Sequence, residues 1–350
     1  MRCCAASSPG KVATYGVEST AQSSHRSDRE DFDEPVPPCT APVGRPSVHH
    51  RWRSRNDARV SRGHRPAHFA AFVLFDRPEG ATILAQYFAR YAEIGRANNV
   101  GVVLESATWR ANPDWGHKLG YNDNALADVQ RKSIEQLLAI RERYATPGTP
   151  IVVSGNLGPR GDGYRPDARM SPAEAEAYHG PQVRTFAATQ ADMVSAFTMN
   201  YLDEAIGIVA AARKSAMPVA ISFTLETDGR LPSGDSLEAA IAHTDEATDG
   251  YPAYYMINCA HPTHFSDVLR GADGWTGRLR GLRANASKRS HAELDVATEL
   301  DIGDPIALGL EYRELQRLQP SLTVLGGCCG TDHRHVAAIC EATRRAGANG

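Results

Sequence analysis

Residues 192–223 read DMVSAFTMNYLDEAIGIVAAARKSAMPVAISF. Within the first six residues, Met193, Val194, Ala196 and Phe197 are apolar with no strict alternation, which reads as a strand covered on both faces. Residues 202–214 then place Leu202, Ala205, Ile208 and Val209 on one face of a helix, and residues 218–223 repeat the strand pattern. Two strands of this kind joined by an amphipathic helix form a strand–helix–strand unit with parallel strands, because a helical crossover returns the chain to the same end of the sheet.

The same rhythm extends in both directions. Upstream, a helix over 79–97 (Ile83, Leu84, Tyr87, Tyr91, Ile94) leads to the run Val100, Val102, Val103, Leu104. A helix over 123–144 carries Leu126, Val129, Ile134, Leu137, Leu138 and Ile140, and is followed by a strand at 150–153 and a helix at 172–189. Downstream, the spacing predicts a helix at 236–245, a strand at 253–258, a short helix after Pro262 and a strand at 279–284. A helix at 304–318, a strand at 322–326 and a helix at 332–345 complete the series. No Gly-x-Gly-x-x-Gly segment opens a helix after any of these strands, which argues against a dinucleotide-binding open sheet. The expected class is therefore α/β, a (β/α)8 TIM barrel. Only seven strands are legible, so the first is expected to be missing or replaced by a divergent N-terminal segment before Phe69. A ring of seven would leave an open seam.

The first 67 residues differ in composition from the rest. Residues 1–50 are rich in Ser, Pro, Thr and Ala with an acidic patch from Asp28 to Glu34, and residues 51–65 carry Arg51, Arg53, Arg55, Arg59, Arg62 and Arg65. Neither part has enough apolar residues to offset the entropy of ordering. Residues 1–67 are thus expected to be a disordered or mistranslated extension, and residues 68–350 the barrel domain. The net charge of −3 gives no general attraction to nucleic acid or to an anionic membrane. No apolar run is long enough to span a bilayer, and mean hydropathy is −0.39. Seven cysteines without a signal segment point to reduced thiols and a cytoplasmic setting.

Chemistry on a barrel of this kind belongs at the C-terminal strand ends. Strand 253–258 runs into Asn258-Cys259-Ala260-His261-Pro262, and strand 322–326 into Gly326-Gly327-Cys328-Cys329-Gly330-Thr331. Three thiols converge on one rim. Three thiolates suit Zn2+, which prefers soft sulfur, tetrahedral geometry and an open fourth position for a substrate. Gly326 and Gly327 are expected to supply the tight turn. Cys340, on the last helix, reads as a core residue. His261, His264, His333 and His335 read as helix-starting or solvent-facing rather than as ligands.

The segment GGCCGT at 326–331, with Asn258-Cys259 at another strand end, resembles the signature of the homocysteine S-methyltransferase family. Ser154-Gly155-Asn156-Leu157-Gly158-Pro159 is similar to that family's turn after the third strand, and the segments at 191–194 and 221–223 to its fourth and fifth strands. The resemblance implies a zinc-dependent methyltransferase with Cys259, Cys328 and Cys329 as protein ligands. The substrate thiol, homocysteine giving methionine, would be the fourth ligand, and a sulfonium or quaternary ammonium compound would donate the methyl group. It further implies that Asn285 touches the amino acid.

Other strand-end residues are assigned to the substrate site: Thr108 and Trp109 after the second strand, Thr198 after the fourth, Glu226 beyond the fifth, and Asn258. Trp109 is a face for a cationic donor. Two departures from the family stand out. No Asp-Gly-Gly segment precedes Phe69, and Phe197 stands where the family carries a glutamate for the substrate ammonium, which predicts a more apolar floor. Glu226 and Glu105 are the candidate replacements. Three other readings stay open: a thiol other than homocysteine, a zinc-binding barrel without catalysis, and a redox dithiol.

Overall fold

The computed structural model describes residues 39–40, 70–270 and 274–347. The strand runs predicted from composition are present as β2 (Val102–Glu105), β3 (Ile151–Leu157), β4 (Met193–Met199), β5 (Val219–Thr224), β6 (Tyr254–Asn258), β7 (Leu279–Ala284) and β8 (Val324–Gly327). All pair in parallel with their sequence neighbours. The seam expected between β2 and β8 is filled. A two-residue strand β1 (Cys39–Thr40) pairs Cys39 with Val102 and Thr40 with Val103 on one side, and Cys39 with Leu325 on the other. The sheet is a closed barrel in sequence order. The rest of the leader, residues 1–38 and 41–69, lies outside the described residues, as does the expectation made for it.

The helices form where local chemistry starts them. α1 (Pro78–Asn98) has proline in its first turn, and Asn122 caps α3 (Asp123–Tyr144) by accepting from the Ala125 N–H at 2.9 Å. Ser171 and Glu174 form a capping box on α4 (Pro172–Ala187). Ser236 caps α6 (Leu237–Thr248), and Asp304 caps α9 (Pro305–Leu318). Between these lie α2 (Pro113–Lys118), α5 (Leu202–Lys214), α7 (Pro262–Leu269), α8 (His291–Val296) and the final α10 (His333–Gly347). α2 and α8 have six residues each, too few for helical periodicity to be legible in the sequence.

Strand alternation sorts the core into two compartments. Val102, Leu104, Val153, Val194, Ala196, Ile257, Leu282 and Ala284 belong to the large cluster that includes helix residues such as Phe88, Ile134 and Ile208. The alternate positions face the lumen, where Val103, Phe197, Met256 and Val324 pack together with Trp109. The same alternation directs Glu105, Ser154, Ser195, Asn258 and Arg283 inward. This lumen is the floor beneath the strand ends.

Candidate metal centre

Cys259 is the first residue past β6, and Cys328 and Cys329 directly follow β8. Their sulfurs all lie within 4.8 Å of one another. Cys259 Sγ is 2.7 Å from Cys328 Sγ and 3.9 Å from Cys329 Sγ. A tetrahedron with Zn–S bonds of roughly 2.3 Å has an edge of roughly 3.8 Å. The Cys259–Cys329 pair matches that edge and the Cys259–Cys328 pair is tighter. Cys259 and Cys329 are buried and Cys328 is half-buried. Contacts from Cys259 and Cys328, with burial and like-charge repulsion added, push the Cys329 thiol well above its ordinary range. Three crowded thiols resist ionisation by themselves, and a bound dication reverses that balance. The donor set therefore fits a soft, tetrahedral cation.

The backbone around these thiols is held from several sides. Cys259 has φ of +57°, a left-handed conformation that costs a residue with a Cβ on the order of 1 kcal/mol. Its N–H donates to the Arg283 carbonyl at 3.1 Å. Its carbonyl accepts from Asn285 Nδ2 at 2.9 Å and from His291 Nε2 at 2.6 Å. The Cys328 N–H donates to Ala284 O at 2.8 Å, and the Cys329 N–H to Asn285 Oδ1 at 3.1 Å. The tight turn expected at Gly326 and Gly327 falls later, at Gly330, where φ is +79°. Gly326 and Gly327 remain in β8; a Cβ at Gly327 would sit 2.2 Å from Thr331 Oγ1, so a side chain there would have to displace Thr331.

The assigned substrate residues fall into distinct groups. Asn258 and Thr198 hold each other: the Thr198 N–H donates to Asn258 Oδ1 at 2.9 Å, and Asn258 Nδ2 donates to Thr198 Oγ1 at 3.0 Å. Ser222 Oγ adds a third bond to Asn258 Oδ1 at 2.7 Å. Thr198, at φ +67°, is thereby locked. Thr108 is fully buried, with its hydroxyl donating to Asn156 O at 2.8 Å. Trp109 Nε1 donates to Phe197 O at 3.2 Å, and the Arg110 guanidinium lies 4.1 Å from the Trp109 ring centre. A resident cation thus stacks on the ring assigned to a cationic donor. Glu226 Oε1 lies 3.3 Å from His291 Nδ1, which links it to the Cys259 carbonyl through one imidazole.

The histidines behave as structural groups. His261 caps α7 and pairs with Glu311 at 3.2 Å, and burial lowers its pKa to about 4. His264 bonds Lys288 O at 2.8 Å, and His335 bonds Ile302 O at 2.8 Å. Cys340 belongs to the core cluster. Sequence reasoning missed His291, whose short helix left no periodic signal, and Arg283. The signal for Arg283 was present: it is one of two arginines in β7, on the opposite face from its neighbours Leu282 and Ala284 and two positions before Asn285.

The expected apolar floor at Phe197 carries a charge, because the Arg283 guanidinium lies 4.6 Å from the Phe197 ring centre. Glu105, 1% exposed, lies deeper in the lumen. Burial raises its carboxyl to about 7 against the opposing pull of Arg283 and of hydrogen bonds from Ser154 and Ser195.

A family description, homocysteine S-methyltransferase, matches residues 51–343. Among solved structures, the homocysteine methyltransferase MmuM from Escherichia coli in its oxidized form superposes with a TM-score of 0.66 at 20% identity, covering 87% of this chain and 94% of that one. Its metallated form gives 0.64 at 20% identity, with coverage of 89% and 96%. At that identity the likeness is one of fold. No curated protein matches the sequence. With the family pattern running through β2 to α10 and the three cysteines gathered on one rim, this chain is a methyltransferase that belongs to the homocysteine S-methyltransferase family.

Proposed function

We propose that the chain moves a methyl group from a sulfonium or quaternary ammonium donor to a thiol, with Zn2+ held by Cys259, Cys328 and Cys329. Homocysteine, giving methionine, is the thiol that the family suggests. The observation that carries this reading is the all-sulfur cluster: three thiols within 4.8 Å, with no carboxylate or imidazole in the group. Bound there, Zn2+ would favour the thiolate form of a substrate sulfur at a fourth position.

The chain's own residues supply position. Asn285 spans the two cysteine loops and sets their spacing. Asn258 holds the strained Thr198 backbone at the rim. Glu226, steadied by His291, is the carboxylate available to a substrate ammonium. Thr108 and Trp109 build the wall beside β2. In the exchange the S–H proton leaves to solvent and a new S–C bond forms. The donor's C–S or C–N bond breaks with its electron pair, which stays on the donor's sulfur or nitrogen and cancels that atom's positive charge. Reduced ligand thiols fit a cytoplasmic setting.

The test is metal analysis of the purified chain together with methyl transfer to homocysteine from S-methylmethionine and from betaine. Close to one zinc per chain and a methylated thiol are expected. Zinc-loaded protein that methylates no thiol with either class of donor would favour the reading of a metal-binding barrel without catalysis.

A further inference from the structure

Arg283 is the one strongly basic side chain that β7 turns into the lumen, since Leu282 and Ala284 on either side pack outward. It pairs in register with Asn258, and its carbonyl receives the Cys259 N–H. Its Nε donates to the carbonyl of Gly327, the residue before Cys328, at 3.2 Å. The guanidinium is thus held between the two cysteine-bearing strands and over Phe197. The residue is 2% exposed, and the carboxylate that feels its charge, Glu105, makes no ion pair with it among the described residues.

A buried cation without a contacting counter-ion is costly. Glu105 offsets it only in part, because burial leaves that carboxyl partly protonated near neutrality and its Oε2 has no hydrogen-bond partner among the described residues. An ammonium group brought to Phe197, where the family resemblance implied an acid, would meet the guanidinium as a like charge. An anion would be received by several N–H donors in a planar fork. We infer that Arg283 anchors an anionic group of the thiol substrate, so that the site selects thiols bearing a carboxylate and holds homocysteine by its carboxylate at Arg283, with the ammonium left to Glu226. This rests on the thiol methyltransferase reading and names the substrate class within it.

The experiment is calorimetric titration of the zinc-loaded full chain with three thiols of similar length: mercaptopropionate, mercaptoethanol and cysteamine. Mercaptopropionate should bind roughly tenfold or more tightly than either mercaptoethanol or cysteamine, as one charge-assisted contact warrants. Arg283→Met should bring the three to within about twofold of one another, while Arg283→Lys should retain part of the preference; zinc content should be unchanged in both. A merely structural arginine would alter all three affinities together. Equal affinities in the wild-type protein overturn the anchor, even if the variants fail to fold, and leave the metal reading intact. Absence of bound zinc, measured separately before titration, overturns the metal reading instead.

Discussion

Asn285 and Cys259 are joined by a side-chain amide donating to a backbone carbonyl at 2.9 Å, and the same amide's oxygen accepts the Cys329 N–H at 3.1 Å. One carboxamide therefore sets the separation between two clustered cysteines that lie 70 residues apart. Partners that orient metal ligands commonly contribute about 10- to 100-fold to affinity. Asn285→Ala is expected to weaken zinc retention by about that factor in a chelator competition, with Cys259, Cys328 and Cys329 all still present. Retention equal to wild type would remove Asn285 from the site's support.

The ligand set predicts a pattern across four cysteines. Replacing Cys259, Cys328 or Cys329 singly by Ser should remove most bound zinc, because each supplies one of three sulfurs. Cys340→Ser should leave zinc content unchanged while lowering the melting temperature, since it introduces a hydroxyl into the core cluster. Elemental analysis and thermal melts of the four variants decide the matter.

Thr198 depends on Asn258. Truncation to Ala would strand the buried Thr198 N–H and the Ser222 hydroxyl, and would release a backbone held at φ +67°. Asn258→Ala is expected to lower unfolding free energy by about 2–4 kcal/mol. Denaturant titration should show a lower midpoint with an unchanged slope.

Glu105 gives a pH dependence whose sign follows from its raised carboxyl. Burial moves it from 4.5 to about 7 in the folded protein, so folding favours the protonated form. Its stabilising contribution is complete below the unfolded value of 4.5 and is lost as pH rises through about 7. Wild type should therefore lose about 3 kcal/mol relative to Glu105→Gln between about pH 4.5 and about pH 8. Parallel stability curves for the two proteins over that range would contradict the burial argument.

The strand–helix alternation was legible because it is written locally: α3 and α5 begin and end where their apolar periodicity does. The convergence of Cys259, Cys328 and Cys329 was legible for a related reason, since strand ends of a parallel barrel share one rim whatever the details of packing. Closure of the ring was not legible, because Cys39–Thr40 is a two-residue strand without periodicity, defined only by its pairing with Val102, Val103 and Leu325. The lumen was equally hidden. Whether Phe197 makes an apolar floor or a seat for Arg283 depends on which side chains from β4 and β7 reach the same level. That level is set by the register of strands far apart in sequence, and so only the tertiary structure decided it.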